Sequence, residues 1–290
     1  MATGTAEQAT QHVTFHSFDG WEARRDNETL LRAWQEDQLA AAIDWRQRQG
    51  FCPACGEMHA FDYWEGADLQ HVNLREHLIC SNCRMNSRVR ASYAVYVTAP
   101  RTKADRNIYV TEQVTPPFVW LQDHLPGRVI GSEFEPSRRK RRALMDYYHG
   151  LGGKGKVNYN DVTRLSFWSR TLDTVMSFDV LEHVPDYRRA LHEFARVLRP
   201  GGHLIATFPF LDVPETLVRA RVRGDGIEHL LEPEYHGDPI AGGGVLCFYH
   251  FGWDVLDDCR KAGFRDARFV MPHAPASGLL HGLWTLVATK

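Results

Sequence analysis

No uninterrupted apolar run in the 290 residues approaches the roughly 18–20 residues of a membrane span, and no membrane-spanning helix is expected. Residues 1–20 carry neither the basic start nor the apolar stretch of a secretory signal, which makes a cytoplasmic location the expectation. An excess of one sign of charge is also missing. The 34 basic and 36 acidic residues leave a net charge of −2, so nothing draws the whole chain toward nucleic acid or an anionic membrane. Fibre, coiled-coil and disordered chains are excluded by an ordinary balance of 43% hydrophobic and 24% charged residues, and the length suits about two domains. Cysteine is scarce, with six residues at 52, 55, 80, 83, 247 and 259. Four of them form two CxxC pairs, which in a reducing compartment point to metal rather than to disulfides.

Two turns that each present two thiolates can converge on one tetrahedral ion, and Cys52, Cys55, Cys80 and Cys83 are the expected ligands of a structural Zn2+. Gly56 follows the first knuckle and supplies the tight geometry that such a turn requires. The segment between the knuckles has the alternating and aromatic residues of short ribbon strands, and His59, His71 and His77 read as ordinary residues because four cysteines complete the site. Ahead of the ribbon, residues 28–49 place Leu31, Trp34, Leu39, Ala42 and Trp45 at helical spacing, an amphipathic helix stopped by Gly50. Arg84, Arg88 and Arg90 after the second knuckle are expected to pair with acidic groups or line an anionic pocket. Residues 1–105 therefore read as an N-terminal helix and zinc-ribbon region.

From residue 107 short apolar runs (NIYVTE, GRVIGSE, LDTVMSFDV, GGHLIATFPF) alternate with helical stretches at 137–148 and 186–198. That rhythm predicts a parallel sheet wrapped by helices over 106–290. In the second helix Ala190, Leu191, Phe194, Val197 and Leu198 share a face, Asp186 stands at its start, and Pro200-Gly201-Gly202 is its expected stop. A further helix at 252–262 closes at Gly263. FRDARFVMP and the tail GLLHGLWTLVATK read as strands of an antiparallel edge, for six or seven strands in all. Cys247 and Cys259 read as buried structural thiols, and the basic run 138–142 as a solvated helix face.

The block LDTVMSFDVLEHVPDYRRALHEFARVLRPGGHLIATFP resembles the fourth strand, following helix and fifth strand of class I S-adenosylmethionine-dependent methyltransferases of the type 11 kind. The resemblance spreads over roughly 106–290. It implies an α/β, Rossmann-like seven-stranded methyltransferase sheet with helices on both faces, plus the small helical and zinc-ribbon region. It also implies S-adenosylmethionine as cofactor, with Glu133 at the end of VIGSE on the ribose hydroxyls, Asp161 on the adenine amino group, and Val162 and Phe178 beside them in the cofactor site. An acceptor at the carboxyl end of a strand is what ligand binding in an open α/β sheet requires. The departure is at the first motif, where Ile108-Tyr-Val-Thr-Glu112-Gln-Val-Thr-Pro116 replaces a glycine-rich turn. A branch of the family resembles this chain in having an APE-like turn there, and Glu112 is then the group for the cofactor's amino end.

Methyl transfer to a hydroxyl calls for an aligned acceptor and a base, and His183, His236 and His250 are the candidates. The expected activity is methylation of a small-molecule acceptor, a sugar or secondary-metabolite hydroxyl, with the zinc ribbon covering or shaping the acceptor site and a homodimer left open. Two alternatives stand beside it: an RNA methyltransferase whose ribbon grips the substrate, against which the net charge counts, and a non-catalytic protein of the methyltransferase fold, for which the glycine-free first motif speaks.

Overall fold

A computed structural model describes residues 10–68, 70–99, 105–237 and 243–290. Its described residues fall into two compact units, one of residues 10–15, 19–99 and 269–285, the other of 16–18, 105–268 and 286–290. The sequence reading draws one boundary, at 105/106. The units divide near residue 100 and carry the late segment 269–285 with the amino-terminal part.

In the first unit β1 (Gln11–Phe15) pairs antiparallel with strand Asp266–His273, Gln11 opposite His273 and Phe15 opposite Phe269. Phe15 is buried in an edge-to-face aromatic cluster with Trp21 (5.1 Å), and Trp21 meets Trp284 in the same way (5.1 Å). The helix Glu28–Ala41 starts at Asn27, whose Oδ1 accepts the Leu30 N–H at 2.9 Å. Its buried residues are Leu30, Asp37 and Ala40, whereas Leu31, Trp34 and Leu39 are 49%, 55% and 72% exposed. The expected apolar face is thus corrected, and the reason is Asp37. Its carboxylate accepts from His273 Nε2 (2.9 Å) and from the His281 N–H (2.6 Å), and a buried charge must keep such partners.

The strands β2 (Arg48–Cys52), β3 (Glu57–Tyr63) and β4 (Leu78–Cys80) form a three-stranded antiparallel ribbon, followed by the helix Ser87–Thr98. Gly56 (φ +73°) closes the first knuckle with its N–H on the Cys52 carbonyl (2.8 Å), and Arg84 (φ +60°) closes the second in the same way on Cys80 (3.0 Å). Arg88 pairs with Glu76 (2.9 Å), as the bland reading of that arginine cluster expects, while Arg90 is fully buried.

The second unit alternates β5 (Asn107–Val110), helix Pro116–His124, β6 (Arg128–Gly131), helix Arg138–Gly150, β7 (Leu172–Phe178), helix Tyr187–Val197 and β8 (Leu198–Thr207). β5 pairs in parallel with β6 on one side and β7 on the other, and β7 pairs in parallel with β8. The final strand, Thr285–Thr289, runs antiparallel to β8. The complete order is β1, Asp266–His273, Thr285–Thr289, β8, β7, β5, β6, a mixed seven-stranded sheet of the Rossmann-like kind. The order reverses direction between β5 and β7, and ligands in open α/β sheets bind outside the carboxyl ends of strands at such a switch point.

The helix before β8 confirms its expected punctuation at one end only. Asp186 Oδ1 accepts the Arg189 N–H (2.9 Å), and Tyr187, Ala190, Leu191, Phe194 and Val197 are buried. Pro200-Gly201-Gly202, the expected stop, lies inside β8, because the helix runs into the strand at Leu198. Among the described residues no helix is long and apolar enough to cross a membrane.

Candidate functional site

β5 leaves the sheet at Val110 and turns through Thr111-Glu112-Gln113-Val114 into a helix whose N-cap, Thr115, precedes two prolines. Without glycine the turn is closed by a side chain. Glu133, two residues beyond β6, accepts the N–H groups of Gln113 (2.7 Å) and Val114 (2.6 Å) on one oxygen, Oε1. Gln113 is buried and ties the next segment to the same place: its Nε2 donates to the Lys156 carbonyl (2.7 Å) and its Oε1 accepts the Asn158 N–H (2.8 Å). Gly131 at the end of β6 allows this closeness, since a Cβ there would stand 2.4 Å from the Phe118 ring and 2.8 Å from Gln113 Cβ.

Three half-buried carboxylates gather at this end of the sheet. Glu112 accepts the Thr111 hydroxyl (2.5 Å), and Asp161 holds its own turn by accepting the Thr163 N–H (2.8 Å) and hydroxyl (2.7 Å) on Oδ1. Asp161 Oδ2 has no partner among the described residues. Burial, opposed by a hydrogen bond to Ser132 (2.7 Å) and helped by the charges of Glu112, Glu133 and Asp161, holds the Tyr109 hydroxyl above the ordinary phenol range. Val162 and Phe178, the latter ending β7, are buried.

A second cluster forms where the chain leaves β7. Glu182 and His183 sit on the short helical turn Leu181–His183, and the chain later returns with Tyr235–His236 paired to Val245–Leu246 and Tyr249–His250 paired to Leu217–Val218. The three expected histidines converge there. His183 Nδ1–H donates to the Leu246 carbonyl (2.9 Å), which leaves Nε2 facing Glu182 at 3.7 Å. His236 presents Nδ1 to Glu182 (3.5 Å) and Nε2 to Glu234 (2.9 Å), and His250 Nε2 approaches the same Glu234 oxygen at 3.0 Å. Arg219 binds the other Glu234 oxygen (3.1 Å). Glu182 is 0% exposed and, among the described residues, neither of its oxygens meets a hydrogen-bond donor in good geometry. Burial, against the pull of His236, pushes its carboxyl up to about 7.

The sequence reading missed Glu182, Glu234 and Arg219, and it took Cys247 for an inert thiol. Glu182 was visible as the first residue of EHV, and Glu234 stands two residues before His236, on the same side of an extended strand. Cys247 is indeed buried, and its sulfur, which donates to the Tyr249 carbonyl (3.2 Å), lies within 4.8 Å of a ring nitrogen of His250 and an oxygen of Glu234. Cys259 is buried without such company.

In the first unit the four knuckle cysteines come together, with Cys52 and Cys83 sulfurs 3.7 Å apart and Cys55 and Cys80 sulfurs 3.9 Å apart. Tetrahedral thiolates about 2.3 Å from a zinc ion stand about 3.8 Å from one another. The fully buried Arg90 guanidinium lies close enough to feel all four sulfurs, and it is anchored by the Ser277 carbonyl (2.7 Å), the Ser87 hydroxyl (2.9 Å) and the Phe61 ring (4.4 Å).

Comparison with known families matches residues 117–206 to the methyltransferase domain model, a stretch from the first turn of the helix after β5 to the end of β8. Over those residues the chain is similar to a methyltransferase domain. Glu133, Asp161, Val162, Phe178 and His183 lie inside the matched stretch, and Glu112, His236 and His250 outside it. The methyltransferase GfsG of Streptomyces halstedii is 29% identical over 90 residues, which are 30% of this chain and 32% of that one. The chain thus matches about a third of the length of that curated relative. Among solved structures, an S-adenosylmethionine-dependent methyltransferase from Thermotoga maritima is 18% identical, covers 69% of this chain and 87% of its own, and has a TM-score of 0.40. Another from Mesorhizobium loti is 16% identical, covers 68% and 96%, and has a TM-score of 0.42.

Proposed function

We propose that the protein transfers the methyl group of S-adenosylmethionine to a hydroxyl of a small-molecule acceptor, a sugar or a secondary metabolite. The observation that carries the cofactor reading is the gathering of Glu112, Glu133 and Asp161 around Tyr109 at the carboxyl ends of β5 and β6, beside the switch point. The residues fit the group. Asp161 offers an unpartnered Oδ2 to the adenine amino group, Glu133 an acceptor to the ribose hydroxyls, and Glu112 a negative charge to the amino end, while Val162 and Phe178 furnish apolar surface. When bound, the cofactor supplies an electrophilic methyl on a sulfonium sulfur. The protein's share is alignment and exclusion of water, which can supply up to ~7–11 kcal/mol of barrier lowering.

For the acceptor's proton we assign His183, which leaves β7 at the same end of the sheet with one ring nitrogen fixed on a carbonyl. Cys52, Cys55, Cys80 and Cys83 are assigned a structural zinc ion. The sulfur spacings and the buried Arg90, which offsets the negative charge of four thiolates, support this.

Calorimetric titration with S-adenosylmethionine and S-adenosylhomocysteine tests the cofactor reading. Binding near micromolar Kd, about −8 kcal/mol, is expected. No heat with either ligand, from protein that is folded by circular dichroism, would remove it.

A further inference from the structure

The cluster at Glu234, Cys247 and His250 has a composition that methyl transfer does not require. Each of the three offers a ligand atom, and these atoms lie within 4.8 Å of one another. His236 adds a fourth. Its Nε2 is 2.9 Å from the Glu234 oxygen that His250 Nε2 approaches at 3.0 Å, and the Cys247 sulfur, which donates to the Tyr249 carbonyl (3.2 Å), lies within 4.8 Å of the Glu234 and His250 ligand atoms. One thiol, two imidazoles and a carboxylate pointing inward are a ligand set for a borderline divalent ion such as zinc. Zinc bonds of about 2.0–2.3 Å place neighbouring ligand atoms about 3.3–3.8 Å apart, so the two contacts onto Glu234, 2.9 and 3.0 Å, need to open by only a few tenths of an ångström.

The independent observation is Glu182. It is completely buried, neither carboxylate oxygen has a hydrogen-bond partner among the described residues, and one of them faces His236 Nδ1 at 3.5 Å. A carboxylate behind the far nitrogen of a metal-binding imidazole is the usual outer partner of such a ligand, because it keeps the proton on that nitrogen and the lone pair on the other.

We propose that His236 Nε2, His250 Nε2, Cys247 Sγ and Glu234 Oε1 bind a zinc ion, with Glu182 positioning His236. Binding requires the Cys247 thiol proton to leave to solvent and Nε2 of His236 and His250, which now donate to Glu234, to give up their protons, so that each ligand turns a lone pair to the metal. The assignment takes His236 and His250 out of the role of base. It does not depend on the methyltransferase reading, since the readout below is metal and not turnover.

The test is metal content of the full chain after dialysis against zinc and then against buffer, for the parent and for Cys247→Ser, His250→Ala, Glu182→Gln and Cys80→Ser. Cys247→Ser and His250→Ala are expected to lose one zinc per chain relative to the parent, and Cys80→Ser to lose a different one. Were the four-cysteine site to hold no zinc, the parent would carry a single ion that Cys80→Ser keeps and Cys247→Ser loses, so the two assignments fail separately. Glu182→Gln keeps the side chain's shape and is expected to release zinc to a competing chelator at about 10–100-fold lower chelator concentration. Cobalt substitution of the parent gives the second measurement. Part of its thiolate-to-cobalt absorption should vanish in Cys247→Ser. Equal zinc in the parent and in folded Cys247→Ser, or a cobalt spectrum that Cys247→Ser leaves unchanged, overturns the proposal. A Glu182→Gln protein that holds metal as tightly as the parent removes the positioning role.

Discussion

Glu133 has one task that its contacts show and one that we propose, and a substitution can separate them. Its Oε1 closes the glycine-free turn by accepting two backbone N–H groups, while the proposed ribose role would fall to the carboxylate as a charged acceptor. Glu133→Ala leaves both amides without that acceptor and should cost about 2–3 kcal/mol, seen as a lower Tm, along with loss of cofactor binding. Glu133→Gln keeps a carbonyl oxygen for the turn, so its Tm should stay near the parent's while affinity for S-adenosylhomocysteine falls about tenfold or more, the worth of one charged hydrogen bond. Unchanged affinity in Glu133→Gln would mean that the residue serves the turn alone. At this scale the sequence was legible where chemistry follows position in a strand–turn–helix rhythm: Glu133 stands just past a strand in the linear chain and does so in the fold, whereas Asp161 lies in a turn between the helix Arg138–Gly150 and β7. Cys247 was not legible. Its meaning comes from His236, which the pairing of Tyr235–His236 with Val245–Leu246 sets beside its segment, and no spacing within VLCFYHF records that pairing.

Elements were legible where their pattern is paid for locally. The helix Tyr187–Val197 has an N-cap and a continuous apolar stripe, both readable over one stretch of sequence. Phe194→Ala in that stripe, at 0% exposure, is expected to destabilise by about 3–5 kcal/mol in urea unfolding, with a loss under 1 kcal/mol showing that the stripe repacks. The helix Glu28–Ala41 reads wrongly for the opposite reason. Its buried face is chosen by Asp37, whose partners His273 and His281 are more than 230 positions away. Asp37→Ala leaves the His273 imidazole without its buried acceptor and should cost about 3–5 kcal/mol, lowering the urea midpoint at unchanged slope. A shift of a few tenths would instead assign the inward face to Leu30 and Ala40. Strand β1 was missed likewise, because the polar lead Gln11–Phe15 is a strand only through pairing with residues near the other end of the chain.

Charge belongs to the whole molecule, and it bears on the remaining rival, an RNA acceptor. A net charge of −2 offers no general attraction to a polyanion, so RNA binding would have to come from a local run, and the densest is 138–142. That run lies on the helix Arg138–Gly150, capped by Ser137. Lys140 is paired with Glu135 (3.6 Å), while Arg141 donates to the Glu135 carbonyl and lies over the Tyr159 ring at 5.4 Å. Arg138, Arg139 and Arg142 are left to meet phosphates. Each phosphate neutralised on a single strand contributes about −0.7 to the slope of log K against log salt, so these three support a slope no steeper than about −2. Titration of bulk RNA across a range of salt should therefore show weak binding with a shallow slope. A slope near −4 or steeper requires more phosphate contacts than this surface supplies from that helix. If Arg138→Glu and Arg139→Glu together then flattened it, the basic run would be the grip and the small-molecule acceptor would give way to RNA.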